Sequence, residues 1–474
     1  MPQRSFDSTI TFSNSQGETG RGTLVSVARA TVVFEVYNPY SVVQLSEVLS
    51  SLRILRGERP VYEGRAVVSN IVPTGVMAIV SATLVDPWQD LVGLTRGDEL
   101  RDEVAQFVED FDRTHAVLPD YQVVVGQMTA FLAELSRWLE QVEVLQLPAG
   151  ERESKTELRT QELSQEIGQS LDDRLGTLMT RFEEAAAQVE PTAAVAHKNY
   201  ARRQLHPYTL VSPFIHRTFT KPLGYAGDYE MVNMILAEPW EGRNTYAQVI
   251  NAAILRSKGA QAHRNRVDYL NATLKSEVKR FVEQPRRMRV LNVGCGPAGE
   301  LQRFVREEPL ADQVEFHLLD FNEQTLAYTR GAVSKECELA GRRPSVEYIH
   351  RSVNDILREA ARGALGESDG DAQTYDVVYC AGLFDYLNDK ICNRLLRLFY
   401  TWCNPGGLVI STNVHPNNDV RFFLEHVLEW NLIYRDEKQM LKVAPKEGES
   451  RVMCDNTGVN VFLETRRPAD GGNA

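Results

Sequence analysis

The sequence predicts an α/β fold in which a largely parallel sheet with crossover helices fills the C-terminal part, preceded by an α-helical region and a small N-terminal β-barrel. Three stretches of different hydrophobic period predict it. From about residue 20 to about 95 apolar and polar residues alternate; from about 98 to about 190 the apolar repeat lengthens to about 3.6; from Met288 to about Arg467 short apolar runs alternate with amphipathic ones. At 474 residues the chain is too long for one core, and about 150 residues per domain gives roughly three. The boundaries read as 1–97 for the barrel, 98–285 for the helical region, 286–467 for the sheet domain and 468–474 for a disordered tail.

The barrel is predicted by "TLVSVARATVVFEVY", "LRILRGERPVYEGRAVVSNIV" and "GVMAIVSATLV", β-branched runs joined by turns such as Arg56-Gly57-Glu58. In the helical region Leu132, Leu135, Leu139 and Val142 share one helix face, as do Leu163, Ile167, Leu171, Leu175 and Leu178, with a break near Pro148 and Gly150. These stripes read as the core of an intramolecular bundle, with a homodimer through this region as the alternative. Five candidate parallel strands follow in order, "MRVLNVG", "VEFHLLD", "VEYIHRS", "YDVVYCAG" and "GGLVISTN". Then "SRVMCD" and "GVNVFLETR" read as a closing antiparallel hairpin, seven strands in all.

Composition narrows the function classes. A hydrophobic fraction of 43% and a charged fraction of 24% are those of a globular chain, and no apolar run approaches the ~18 residues of a membrane span. The start, "MPQRSFDSTITFSNS", lacks the apolar core of a signal peptide, so a cytoplasmic location is expected. A net charge of -12 argues against holding a polyanion, and nucleic acid is not expected as a partner. The six cysteines include no C-x-x-C pair, which fits a reducing compartment and no metal.

"VLNVGCGPAGE" (290–300) spaces Gly294, Gly296 and Gly299 as G-x-G-x-x-G after the first candidate strand. Glycine there lets the backbone turn sharply and approach a ligand closely, in a dehydrogenase or a methyltransferase alike. Asp320, about 20 residues on, suits the ribose hydroxyls of either cofactor. Three later features separate the two readings: a Pro-Gly-Gly turn in "NPGGLVIST", an acid before and aromatics after the fourth strand in "YDVVYCAGLFDYL", and the closing hairpin. A second nucleotide-binding half, which a dehydrogenase would want, is not found.

With these features, residues from about 285 to 467 resemble the class I S-adenosylmethionine-dependent methyltransferases, which implies a Rossmann-like seven-stranded sheet and S-adenosylmethionine as cofactor. The resemblance places Gly294, Cys295 and Gly296 at the methionine end. It places Asp320 on the ribose, Phe321 and Asn322 beside the adenosine, Ser352 and Val353 at the adenine, and Cys380 and Ala381 along the methyl channel. Two positions depart from the family pattern: Asn292 and Ser352 stand where an Asp is common. The N-terminal strands resemble a PilZ domain whose arginine pair is not intact, since Arg21 and Arg29 are too far apart and Ser26 lacks its flanking acid and glycine. Cyclic di-GMP is therefore not expected and a structural or docking module is, with a PilZ-type cyclic di-GMP-responsive regulatory protein as the alternative reading.

The stretch "HPYTLVSPFIHRTFTKPLGYAGDYEMVNMIL" (206–235) combines turn residues with Tyr225, Asp228 and Tyr229, lid or binding-loop chemistry. Arg264 and Arg266 could hold a carboxylate of cofactor or substrate by forked hydrogen bonds. Together with the sheet domain, this block resembles a bacterial family associated with making the extracellular factor 3-hydroxypalmitic acid methyl ester. The resemblance implies O-methylation of a carboxylate on a small or fatty-acyl substrate, with Tyr225, Asp228, Arg266 and Tyr386 on the substrate side. An ionised carboxylate needs no general base. Transfer to an amine or hydroxyl would use one, and Tyr229, Asp385, His415 and His216 are the candidates.

Overall fold

The computed structural model describes residues 8–469 apart from 29, 38–42, 57–58, 74–76, 87–100, 102–103, 106–107, 110–115, 147–152, 238 and 362–373. Two compact units emerge: 1–226 with 238–257 and 419–431, and 227–237 with 258–418 and 432–474. The expected turn at Gly57-Glu58, the break at Pro148 and Gly150, the 97/98 boundary and the last residues of the tail lie outside the described residues. No helix among the described residues is long and apolar enough to cross a membrane.

The first unit begins with strands β1 (Ser8–Ser13), β2 (Thr19–Ala28), β3 (Thr31–Tyr37), β4 (Val48–Arg56), β5 (Arg59–Pro73) and β6 (Met77–Leu84). They close into a barrel in the order β1-β2-β3-β6-β5-β4. Alternation explains it: every second residue of β6 is buried, and Ile10, Phe12, Val32, Phe34 and Leu52 fill the interior. β1 corrects the expectation that strands start near residue 20. It pairs with both β2 and β4 and so closes the barrel, but "STITFS" carries only Ile10 and Phe12 as its apolar signal.

Helices Pro119–Gln146 and Glu153–Ala186 follow. Leu132, Leu135 and Leu139 of the first stripe and Leu178 of the second are buried, while Leu163, Ile167, Leu171 and Leu175 are half-buried. Those four buried residues pack within the chain. Helix Pro213–Thr220 starts where Ser212 accepts from the Ile215 amide and Pro213 stands at the first turn, and it stops at Lys221 in left-handed backbone.

The second unit holds a seven-stranded sheet of β7 (Met288–Val293), β8 (Val314–Asp320), β9 (Ser345–His350), β10 (Tyr375–Cys380), β11 (Cys403–Val414), β12 (Glu449–Cys454) and β13 (Asn460–Arg466). The order is β12-β13-β11-β10-β7-β8-β9, with β13 antiparallel to both neighbours, so the fold class is as expected. All six residues of β10 are buried, as befits a strand covered on both faces. Leu270, Leu274 and Val278 of helix Lys258–Lys279 pack on one face with Leu301, Phe304 and Leu326. Ile356, Leu395, Leu396 and Met440 pack on the other. Strand order reverses between β7 and β10, and ligands of such sheets bind at the carboxyl ends of the strands flanking that point.

Candidate functional site

The chain leaves β7 through a turn whose left-handed backbone favours glycine. Gly294 and Gly296 take φ of 71° and 52°, and the amides of Gly294 and Cys295 both donate to Leu319 O, at 2.8 and 3.0 Å. A Cβ at Gly299 would lie 2.8 Å from Leu236 Cδ1, so Leu236 would have to shift to admit a side chain. Helix Tyr229–Leu236 therefore packs onto the start of helix Gly299–Glu307.

Asp320 ends β8 buried beside this turn. Its Oδ2 accepts the Gly296 amide at 3.1 Å and its Oδ1 the Asn322 amide at 3.0 Å. Burial pushes its carboxyl up, against three backbone amides and His350 that lower it. Asn322 caps helix Glu323–Ala340 through Thr325, Phe321 is half-buried, and Thr329 Oγ1 donates to Gly296 O at 2.7 Å. Gly294, Gly296, Asp320 and Asn322 thus form one hydrogen-bonded unit at the ends of β7 and β8.

On the other side of the turn lies a charge arrangement of which the sequence suggests Arg266 but not Glu300. Arg266 is only 8% exposed, yet its guanidinium meets no carboxylate at ion-pair distance among the described residues; its partner is the His263 ring one helical turn back. Burial first, then Arg266 and Arg264, hold His263 well below its ordinary value, so the guanidinium faces a neutral imidazole. Burial lowers Arg266 itself, while the charges of Asp385 and Glu300 raise it. Gly382 leaves space for it: a Cβ there would sit 3.0 Å from Arg266 Nη1.

Glu300 is 7% exposed, and its Oε1 accepts both Asn292 Nδ2 at 3.0 Å and the Tyr379 hydroxyl at 2.8 Å. Burial pushes its carboxyl up and the more distant Arg266 lowers it. Asn292, where the family pattern has an acid, is here the donor to an acid supplied by the following helix. The only trace in sequence was an acid in a helical first turn, ordinary for the helix dipole.

The remaining nominated residues divide. Asp385 follows β10 in the turn Phe384–Tyr386. Burial pushes its carboxyl up to about 6, opposed by the Val414 amide, Arg266 and Arg435; the Val414 amide donates to its Oδ1 at 2.7 Å. Tyr386 is half-buried beside it. Cys380 lies in the apolar cluster of one sheet face and half-buried Ala381 packs against the other. Burial raises the thiols of Cys295 and Cys380.

His415 turns away: its Nδ1 accepts the Asn417 amide at 3.0 Å and its Nε2 lies 3.4 Å from Glu437. The Ser352 hydroxyl donates to Asp355 Oδ2 at 2.7 Å and accepts the Asp355 amide at 3.2 Å, closing the start of helix Val353–Ala361. Val353 is half-buried against the core. Asp228 caps helix Tyr229–Leu236 through the Met231 amide at 2.8 Å, and Tyr229 stacks on Tyr328 with ring centres 4.7 Å apart. Tyr225 and His216 belong to the first unit. No cluster among the described residues could hold a metal ion.

Similar structures include a possible exported protein from Bordetella parapertussis, 15% identical with a TM-score of 0.42, covering 65% of this chain and 97% of its own. Magnesium protoporphyrin IX methyltransferase from Synechocystis PCC 6803 with bound SAH is 13% identical with a TM-score of 0.35, covering 53% and 98%. The N-methyltransferase NodS from Bradyrhizobium japonicum WM9 in complex with S-adenosyl-l-homocysteine is 11% identical with a TM-score of 0.31, covering 51% and 98%. At such scores these likenesses carry no argument about function. No curated protein sequence matches the chain. Residues 264–447, however, match the family model described as a methyltransferase domain, and this span holds the glycine turn, Asp320, Arg266, Glu300 and Asp385: it is a methyltransferase domain.

Proposed function

We propose that the chain is an S-adenosylmethionine-dependent methyltransferase that converts a carboxylate of a small or fatty-acyl 3-hydroxy acid into its methyl ester. One observation carries the cofactor reading. Arg266 is a buried cation without an acid and Glu300 a buried acid without a cation, each within the other's field. An α-amino acid end presents the complementary carboxylate and ammonium, whereas a pyrophosphate would meet Glu300 as a like charge. Asp320, at the end of β8, suits the ribose hydroxyls. All six cysteines are free, which suits a reducing cytoplasm.

The cofactor supplies an electrophilic methyl whose bond to sulfur breaks, leaving the electron pair on sulfur, as the acceptor oxygen bonds the carbon. The protein's part is alignment and exclusion of water around an acceptor that is already ionised. His415, a candidate base, is engaged with Asn417 and Glu437, which favours an acceptor requiring none. Asp385 favours a second reading, an amine or hydroxyl acceptor, because a carboxyl pushed up to about 6 can take a proton near neutrality.

Calorimetric titration with S-adenosylhomocysteine tests the cofactor reading. Saturable binding, weakened at least about tenfold by Asp320→Ala, is expected from the loss of charge-assisted hydrogen bonds. Absence of binding, or binding indifferent to Asp320, overturns it. Mass spectrometry of small molecules retained by the purified chain identifies the acceptor.

A further inference from the structure

In helix Lys258–Lys279 the stretch 262–266, "AHRNR", sends its polar side chains to different places. Arg264 Nη1 donates to Ile235 O at 3.0 Å and Asn265 Nδ2 to Asp455 Oδ2 at 2.7 Å. His263 and Arg266, three positions apart and so on one helix face, meet each other: Arg266 Nη2 donates to His263 Nε2 at 2.5 Å. A guanidinium carries N–H donors and no acceptor. The ring nitrogen it meets therefore presents a lone pair, and the imidazole is neutral. Every residue of this arrangement lies in the second unit.

A buried guanidinium is ordinarily matched by a carboxylate. Here Asp385 and Glu300 act on Arg266 through their charge alone, with no ion pair to either among the described residues. The imidazole takes a donor and returns no charge, and the rest of the fork meets no acceptor among the described residues. The other wall of the fork is backbone. Gly382, at φ 94°, donates its amide to Thr412 Oγ1 at 3.1 Å and puts no side chain over the guanidinium, where a Cβ would lie 3.0 Å from Nη1 and 3.3 Å from Nη2.

We propose that His263 is a positioning residue for Arg266: its imidazole lone pair anchors one guanidinium N–H and leaves the others to fork onto the carboxylate of the cofactor's methionine end. This rests on the reading of the site as one for S-adenosylmethionine. An acid at position 263 would anchor the guanidinium as firmly but would itself be the carboxylate, closing the fork before the cofactor arrives.

Titration of S-adenosylhomocysteine and 5′-methylthioadenosine into full-chain variants tests it. His263→Gln keeps a neutral acceptor and should bind S-adenosylhomocysteine within about threefold of wild type. His263→Leu removes the lone pair and should weaken it about tenfold; His263→Glu occupies the guanidinium and should weaken it about tenfold or more, the scale of a hydrogen bond to a charged group. 5′-Methylthioadenosine, which lacks the amino acid end, should bind all of them alike. Beside Arg266→Met the substitutions at 263 should have no further effect, because they act through the guanidinium. A His263→Leu variant that binds like wild type, equal losses for the two ligands, or losses that persist beside Arg266→Met each overturn the positioning role. If His263→Leu fails to fold, His263→Glu against His263→Gln carries the titration. A wild type that binds no S-adenosylhomocysteine overturns the cofactor reading instead, and the anchor is then read from thermal unfolding. His263→Leu should melt lower than His263→Gln, with the gap closing beside Arg266→Met; equal melting of the two overturns the anchor.

Discussion

Arg266 and Glu300 are oppositely charged, both buried, and not paired with each other. Leaving two such groups apart in a low-dielectric site costs stability unless a third party joins them. They differ in support as well: Glu300 is fixed by Asn292 and Tyr379, while Arg266 leans on a neutral imidazole.

Arg266→Met and Glu300→Gln should each weaken S-adenosylhomocysteine by about 10- to 100-fold, the range for a hydrogen bond to a charged group. Neither should affect 5′-methylthioadenosine, which lacks the amino acid end. Titration of both ligands decides it. Equal losses for the two ligands would show that the variants disturb the whole site and that the pair does not read the methionine end.

Asp385 makes a pH prediction. Its ordinary value is 3.8 and burial pushes it up to about 6, so between these limits the native state holds more protons than the unfolded chain. Stability from this group is full below 3.8 and is lost as pH rises through 6. The difference is at most about 3 kcal/mol. Asp385→Asn keeps an acceptor for the Val414 amide and removes the buried charge, so the second unit should melt higher than wild type at pH 7.5 and equally at pH 3.5. For a carboxylate acceptor kcat/KM stays flat from pH 6 to 8; a fall below about 6 that Asp385→Asn abolishes would instead mark Asp385 as the base.

The sheet was legible because strands buried on both faces are continuous apolar runs: "VEFHLLD" coincides with β8, and the others differ by a few residues at their ends. What escaped depends on partners distant in sequence. Nothing in "STITFS" announces that it pairs with β4. Nor does "KPLGYAGDYE" show that Gly224 O accepts the Val48 amide, 176 positions earlier, while Asp228 starts a helix of the other unit. Turn chemistry was readable there; which element each turn serves was not. Glu300 was hidden for the same reason, since its role appears only once the glycine turn brings it back over Asn292.

Ser352 separates a capping role from a ligand role. Its hydroxyl and amide are both engaged with Asp355 in a reciprocal cap, so Ser352→Ala should cost about 1 kcal/mol of stability. The S-adenosylhomocysteine affinity should stay within about twofold, below what one lost hydrogen bond would produce. Thermal unfolding and calorimetry on one preparation read both. A large affinity loss with unchanged stability would assign the hydroxyl to the adenine after all.

Tyr229 was nominated as a base, and its surroundings argue for a covering role. Its ring stacks on Tyr328 of helix Glu323–Ala340, Leu236 at the far end of its helix abuts Gly299, and Arg264 Nη1 closes that end by donating to Ile235 O at 3.0 Å. Helix Tyr229–Leu236 thereby joins the two helices that follow β7 and β8, above the strand ends where the cofactor is expected. The ring should then matter and the hydroxyl should not. Tyr229→Phe should keep both kcat and cofactor affinity. Tyr229→Ala should weaken S-adenosylhomocysteine about 3- to 10-fold, the scale of one aromatic pair, with kcat at saturating cofactor retained. A Phe variant that binds normally but loses about 100-fold or more in kcat would restore Tyr229 as a general base.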